Sequence, residues 1–387
     1  MIWFAGLMTP TLLVYVPLSM AVVLPLVVLA TGLSRLIRRE PVFRFDPVGT
    51  LLILSFVVVA GFSFLWSYSP STTLGKLSHT VPTLVVGLLT LSILMRLGPA
   101  ERTWAANGLV PGVLAAMAAL FVERAAGGVM LPGVLPEVDV NLFLNQFNRP
   151  LLVLSILIWP TFVVVERRWQ KAGFGLLLVY LLGLFAFKIE TAFLAVALGA
   201  VAGILVAISP RLFGYLFGAL FAGLILLAPT LESALPPPKE TYETLKLPRS
   251  AYHRLIIWRF TAGKIAERPI LGWGFNTSRI LPDGSTNIDV YEPALPLHPH
   301  NGALQWRVEL GIPGALIGAG LFFFAMFRVA RLQVTRLNRA GAAGAITAAF
   351  TVAMLSFGIW QTWWVSSLFL AAGFCIVACA PTKDPSS

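Results

Sequence analysis

The chain has 387 residues, of which 57% are hydrophobic and 12% are charged, and its mean hydropathy is +0.83. This composition excludes an ordinary soluble domain and indicates a polytopic membrane protein. The net charge of +11 does not by itself indicate nucleic acid as a partner, because basic residues in a membrane protein first mark a side of the membrane.

Apolar runs of membrane-spanning length recur along the whole sequence, which predicts an all-α, polytopic helical bundle forming one domain over residues 1–387. The twelve predicted spans cover residues 3–16, 18–34, 48–66, 78–97, 104–122, 150–166, 173–187, 192–208, 211–229, 304–328, 340–360 and 364–380. Pro17 allows an alternative in which the first two runs form one kinked helix, which changes the count by one. The first run lacks a basic segment and a small-residue cleavage site, so we expect it to stay in the membrane.

The short connections after the second, sixth and tenth spans are rich in arginine and lysine, whereas the connections at the opposite ends are not. The rich set is Arg35, Arg38, Arg39, Arg44, Arg167, Arg168, Lys171, Arg328, Arg331, Arg336 and Arg339. The positive-inside rule therefore places both termini in the cytoplasm. Trp66, Trp360, Trp363 and Trp364 would then form an aromatic belt at the outer boundary.

The longest connection, residues 230–300, joins the ninth and tenth predicted spans outside the cytoplasm. Connections of this length usually carry function. Ser250 is expected to cap a helix that runs to about Glu267, where Pro269 stops it. A second outer segment, Glu137–Arg149, is predicted either to lie along the membrane surface or to be a solvated loop.

His300 stands where this polar connection meets the tenth span, and histidine exchanges protons near neutral pH. Gly311 and Gly314 follow at spacings that place all three residues on one face of a helix. Pro313, however, predicts a break, with a polar upper helix from Asn301 and a membrane helix that restarts near the proline. The residue chemistry of His300 fits equally an interfacial histidine bonded to a backbone carbonyl.

Polar residues accompany this histidine on both sides. Gln305, Arg307 and Glu309 lie in the upper helix, where we expect them to line a wet cavity. A second alternative is that His298 and His300 bind a metal ion. No third ligand lies nearby in the sequence, so we predict no metal site.

The helix from Ser250 presents Arg254 on an otherwise largely apolar stripe, so this guanidinium is expected to face a packed surface. It suits a diphosphate through bidentate hydrogen bonds. It equally suits snorkelling to water or an ion pair with Glu240, Glu243 or Glu267. Gly272 and Gly274 are candidates to offer backbone N–H groups to an anion.

Lys188 and Glu190 lie at the outer end of the seventh and eighth spans. Ionisable residues at this depth are candidates for function, although the two could also neutralise each other or pair with loop residues.

Three motifs resemble those of the O-antigen ligase and polymerase family. They are HPHN at residues 298–301, HNx9GxxG from His300 to Gly314, and RLIIWRFTAGKIAERPILGWGF from Arg254 to Phe275. Members of that family have about twelve spans and a large periplasmic loop between late spans. The resemblance covers the whole architecture, and its specific part is Arg254 to Gly314.

The resemblance implies a membrane glycosyltransferase that moves a preassembled glycan from polyprenyl (undecaprenyl) diphosphate to an outer-face acceptor, with inversion and with neither a metal nor another cofactor. It implies His300 as the general base and Arg254 as the residue that binds the diphosphate and stabilises it as leaving group. The residues expected to bind substrate are His298, Asn301, Lys188, Glu190, Arg259 and Arg149, and the structural motif residues are Gly272, Gly274, Gly311 and Gly314.

One position departs from the family pattern. Many members carry a Ser-Arg pair before a Thr-Ala segment, whereas this chain has Ile189 and Glu190 before Thr191 and Ala192. Either Lys188 replaces that cation or the diphosphate is held differently in this chain.

Several functions remain open on these grounds. The preferred one is ligation of O-antigen to lipid A core in lipopolysaccharide biosynthesis, at the periplasmic face of a bacterial inner membrane. The alternatives are a polymerase that extends the polyprenyl-linked glycan, transfer to protein, and a transporter of lipid-linked glycan. The sequence shows no repeated pair of broken helices, which disfavours the transporter. The expected partners are the donor, lipid A core or a glycan acceptor, and the lipid bilayer, but no nucleic acid.

Overall fold

The computed structural model describes residues 2–126, 147–247, 249–289 and 292–380, and within them the chain is a bundle of helices. The described helices are α1 (Ile2–Tyr15), α2 (Met20–Ile37), α3 (Pro47–Phe62), α4 (Pro70–Leu94), α5 (Pro99–Ala125), α6 (Asn148–Arg168), α7 (Ala172–Phe187), α8 (Glu190–Ile208), α9 (Pro210–Ser233), α10 (Pro238–Leu245), α11 (Arg249–Glu267), α12 (Gly302–Arg331), α13 (Arg336–Leu355) and α14 (Thr362–Cys379). Short 3-10 turns cover Pro17–Ser19, Ser63–Leu65 and Thr277–Ile280. An antiparallel hairpin of β1 (Asn287–Asp289) and β2 (Glu292–Pro293) adds a small non-helical element.

Nine helical stretches in the described ranges are long and apolar enough to cross a membrane, and two shorter apolar helices, α1 and α7, join them. The predicted fold class, a polytopic helical membrane protein, is therefore confirmed. Each of the twelve predicted spans coincides with a described helix, but the count of twelve stays a prediction. The chain does leave helical geometry near Pro17, between α1 and α2.

Helix α6 forms the centre of the bundle. Every residue from Pro150 to Val165 is buried, as expected for a helix that is apolar on all sides. Around it, α12 packs chiefly against α9, and α13 packs chiefly against α8. The faces of α3 and α9 are largely exposed, so these helices lie at the periphery, where a membrane helix meets lipid.

The long connection between the ninth and tenth predicted spans is present, and it folds onto the end of the bundle. Helix α11 packs against α9 and α12. A second apolar cluster fixes this arrangement, and it consists of Ile257, Ile265, Trp273, Leu281, Leu295, Leu304 and Val308. The connection is thus attached by its own small core, which is what gives polar residues on it defined positions.

Two local predictions need correction. Helix α11 begins at Arg249, so Ser250 lies inside its first turn rather than at the cap. Trp360, Trp363 and Trp364 are only 7%, 5% and 0% exposed, so they are core residues and not an aromatic belt facing lipid. The segment Glu137–Arg149 lies mostly outside the described residues.

Candidate active site

Helix α12 is broken at Gly311, whose φ of 62° and ψ of −146° are not helical. The predicted break in this helix is therefore confirmed, and it lies at Gly311, two residues before Pro313. Because His300 precedes the helix and Gly311 interrupts it, His300, Gly311 and Gly314 do not share one face of a continuous helix. The upper part, which starts after Asn301, is a separate short helix seated on the membrane part.

The loop after α11 fills this break. Backbone N–H groups of Trp273 and Gly274 each donate to a carbonyl of the upper helix, on Val308 and Glu309, at 2.8 Å. The N–H of Ile312 donates to the carbonyl of Ile270 at 2.8 Å. Backbone groups that a broken helix would leave without partners are thus satisfied by the loop.

Glycines make this joint possible. Gly272, Gly274 and Gly311 all have positive φ, at 71°, 104° and 62°, which is a left-handed backbone that favours glycine. A Cβ atom on Gly272 would lie 2.6 Å from the carbonyl oxygen of Glu309, and one on Gly311 would overlap the carbonyl oxygen of Ile270. The glycines therefore serve close backbone packing.

The idea that Gly272 and Gly274 present N–H groups to an anion is wrong. The N–H of Gly274 donates to the backbone carbonyl of Glu309, and that of Gly272 donates to the carbonyl of Arg268 at 3.2 Å. Gly314 lies in the lower part of α12, where a Cβ atom would meet the side chain of Leu310.

Glu309 joins the upper helix to two loops. It is fully buried and accepts four hydrogen bonds, at 2.6 Å from the N–H of Asn276, the hydroxyl of Ser278 and the indole of Trp360, and at 3.0 Å from the amide of Gln305. Both carboxylate oxygens are therefore occupied. The expected position beside a wet cavity is wrong for Glu309 and Gln305, because both side chains are buried and bonded to other protein groups.

These bonds also hold the segment between α13 and α14. Gln305 accepts the N–H of Ile359 at 2.9 Å, and Trp360 is held by Glu309. The same segment supplies the carbonyl of Ser356, which lies 2.6 Å from Nδ1 of His300. Glu309 thus acts on His300 at one remove, through the segment that carries Ser356.

His300 is oriented as a base. A carbonyl oxygen only accepts hydrogen bonds, so Nδ1 carries the proton and Nε2 keeps a lone pair. Burial lowers the pKa of His300 below 6.5; the bond to Ser356 opposes this, and the charges of Arg254 and His253 reinforce it. The ring is therefore neutral and able to take a proton at neutral pH. No described residue forms a hydrogen bond with Nε2.

His298 lies beside it, with ring centroids 4.2 Å apart. Its Nδ1 accepts the backbone N–H of His300 at 3.3 Å, and its Nε2 lies 3.3 Å from the amide of Gln361. Burial first, then the charges of His300 and Arg279, lower the pKa of His298 to about 3. In the described part of the chain, no group of three or more His, Cys, Asp or Glu side chains is placed to hold a metal ion.

Helix α11 brings Arg254 to the same place. One turn along it, the indole of Trp258 donates to the carbonyl of Pro299, the residue between the two histidines, at 2.9 Å. Burial lowers the pKa of Arg254, an effect that the charge of Glu190 partly offsets, and arginine remains protonated. Within the described ranges its guanidinium has no hydrogen bond or ion pair, so the expected alternative of a salt bridge is not formed.

Three other candidates, Glu190, Lys188 and Arg149, lie around His300 and Arg254. Glu190 acts on Arg254 and lies at the start of α8, and Lys188, two residues earlier, is exposed and does not pair with it. Arg149 lies over the ring of Trp363 at 5.6 Å, and so stands near the segment that carries Ser356.

Two further candidates have structural partners. Arg259 donates from Nε to Glu232 at 2.7 Å and from Nη2 to the carbonyls of Leu235 and Pro236, so its donors are largely occupied. Asn301 caps α12 by accepting the N–H of Leu304 at 3.1 Å, which leaves only its NH2 group for a substrate.

The geometry agrees with a comparison against known families. Residues 140–319 match the model of the O-antigen ligase family, and all twelve residues predicted for the site fall inside that range. The chain belongs to the O-antigen ligase family. Membership points to glycan ligation as the general activity, and the apolar helices make the chain a multi-pass membrane protein.

Rickettsia proteins described as candidate polysaccharide ligases are similar to the chain. The protein of Rickettsia felis is 29% identical over 344 residues, which cover 87% of this chain and 82% of that protein. Those of Rickettsia conorii and Rickettsia prowazekii are 30% and 29% identical, over 67% of this chain and 64% of their own lengths.

Proposed function

We propose that this member of the O-antigen ligase family is an inverting membrane glycosyltransferase that takes a preassembled glycan from polyprenyl diphosphate. The acceptor we propose is lipid A core, in lipopolysaccharide biosynthesis at the periplasmic face of the bacterial inner membrane. The observation that carries this proposal is the pairing of a neutral, oriented His300 with a cation, Arg254, that has no protein partner in the described ranges.

The chemical step follows from these two side chains. Nε2 of His300 takes the proton of an acceptor hydroxyl, whose oxygen attacks the anomeric carbon of the donor glycan. The bond from that carbon to the diphosphate breaks, and the diphosphate leaves with the electron pair. Arg254 binds the diphosphate and stabilises the charge that develops on it.

Nearby residues support the arrangement. Trp258 holds the loop of the two histidines against the helix that carries Arg254, so base and cation keep a fixed relation. His298 stays neutral near neutral pH, since its pKa is about 3, and so adds no charge beside the base. The contact between His298 and the side-chain amide of Gln361 helps to hold the loop that carries the two histidines.

A transfer assay tests this function. Purified protein receives polyprenyl-diphosphate glycan with or without lipid A core, in the presence or absence of a chelator, and products are separated by size on a gel. We expect transfer to lipid A core, unaffected by the chelator. Extension of the polyprenyl-linked glycan in its place would identify a polymerase, and donor binding with no bond broken would favour a transporter.

A further inference from the structure

The single positive charge of Arg254 is smaller than the charge of a diphosphate. Glu190 is the acid whose charge acts on Arg254, and it offsets part of that positive charge. A diphosphate carries about two negative charges, by analogy with phosphate esters. If the proposed function holds, as this inference assumes, further cations have to come from elsewhere in the chain.

Lys76 has the properties of such a cation. It is half-buried in α4, a candidate membrane helix, and in the described ranges its ammonium has no hydrogen bond or ion pair. The charges that act on it are those of Arg279 and Glu309. Both oxygens of Glu309 are already bonded to four other donors, so Glu309 does not serve as its partner. An ionisable residue of this kind in a membrane helix points to function.

Hydrogen bonds place Lys76 and Arg279 on one side of the site. The hydroxyl of Thr73, one turn before Lys76 on α4, donates to the carbonyl of Phe275 at 2.8 Å. This attaches the face of α4 that carries Lys76 to the loop that carries Arg279.

The same loop reaches the histidines. Ser278, the neighbour of Arg279, donates to Glu309 at 2.6 Å, and its hydroxyl lies 3.5 Å from the carbonyl oxygen of Leu297, which precedes His298. The charge of Arg279 accordingly acts on His298. Arg279 is exposed and forms no ion pair within the described ranges.

We propose that Lys76 and Arg279 form a second anion subsite, which binds a phosphate group on the His298 side of the site while Arg254 lies on the His300 side. Two cations from separate elements suit a group with several oxygens, since each can bond a different oxygen. The phosphate belongs either to the donor diphosphate or to a phosphorylated acceptor.

Steady-state kinetics of Lys76→Gln and Arg279→Gln test the subsite. We expect a rise of about tenfold in one KM for each variant, corresponding to one lost charge-assisted contact. A rise in the KM of the donor assigns the subsite to the diphosphate, and a rise in the KM of the acceptor assigns it to a phosphorylated acceptor. Lys76→Arg should restore the KM, because it keeps the charge. Unchanged KM values in both glutamine variants would overturn the proposal.

Binding of inorganic pyrophosphate gives a readout that does not need turnover. The pyrophosphate concentration that half-maximally raises the thermal unfolding temperature should increase about tenfold in Lys76→Gln. Lys239→Gln, an exposed lysine of α10 in the same connection, is the control and should match wild type. If wild type transfers no glycan but this difference in binding is seen, the proposed function fails and the subsite stands. Equal pyrophosphate affinity in wild type and Lys76→Gln would contradict the subsite.

Discussion

Nδ1 of His300 lies 2.6 Å from the carbonyl oxygen of Ser356, a residue 56 positions later in the chain. This contact places the ring proton on Nδ1. The basic nitrogen, Nε2, is therefore the one that does not take part in the hydrogen bond to Ser356. The carbonyl is held in turn by a segment that Glu309 and Gln305 bind. The orientation of the proposed base therefore depends on a buried carboxylate that does not itself touch it.

The pH dependence of transfer follows from the lowered pKa of His300. Because burial moves this pKa below 6.5, the neutral base is the major form at pH 6.5 and becomes the minor form only on further acidification. The acidic limb of the pH profile of kcat/KM should have its midpoint below pH 6.5. An acidic limb centred at or above that pH would contradict the assignment.

Glu309→Gln should impair both the fold and the rate. A glutamine presents an NH2 group where the carboxylate accepted, so it opposes donors such as Trp360 and Asn276. We expect a loss of about 2–4 kcal/mol in the free energy of unfolding. In the protein that remains folded, kcat should decrease while KM changes little, because the segment that orients His300 shifts. The exposed Glu243→Gln in α10 is a control that should leave both quantities unchanged.

Arg259 is expected to act on stability and not on substrate binding. Its removal leaves Glu232, which is 5% exposed, without its cation, and frees two carbonyls at the end of α9. Arg259→Ala should lower the free energy of unfolding by about 1–3 kcal/mol. The KM of the folded enzyme should remain that of wild type. A rise in the KM of the donor with no change in thermal stability would instead restore the substrate-binding role predicted from the sequence.

Gly311→Ala tests the joint in α12. The left-handed backbone and the overlap with the carbonyl of Ile270 should cost about 2–4 kcal/mol. Gly263→Ala is the matched control, because Gly263 lies in helix α11 with open space around its Cα, where alanine favours the helix. Equal thermal stability of the two variants would show that the joint does not need glycine.

The sequence predicts local features of this protein well. Runs of apolar residues located the helices, Pro269 located the end of α11, and Pro313 located the break in α12 to within two residues. Each of these depends on properties of neighbouring residues. Local chemistry and motif also indicate His300 and Arg254 as functional candidates; the structure places them near enough for the charge of Arg254 to act on His300, and their roles stay predictions.

Contacts between distant segments were missed. Nothing near Gly272 in the sequence shows that this glycine would lie against the backbone carbonyl of Glu309. Nor does it show that the same carbonyl would accept the N–H of Gly274. The sequence alone predicts a membrane-boundary position for Trp360, because its partner, Glu309, is 51 residues away. An available signal was the pair Gln305 and Glu309, spaced by one helical turn in an apolar segment, which suggests a buried network as readily as a wet cavity.

The most direct test of the central claim is a single-turnover measurement of donor cleavage by purified wild type and His300→Gln, with donor binding measured in parallel. We expect wild type to break the bond between glycan and diphosphate and to join the glycan to the acceptor. His300→Gln should bind the donor normally and react slower by at least about a hundredfold, as for loss of a general base. Cleavage by His300→Gln at the wild-type rate would contradict the role of His300, and donor binding by wild type without cleavage would contradict the transferase itself.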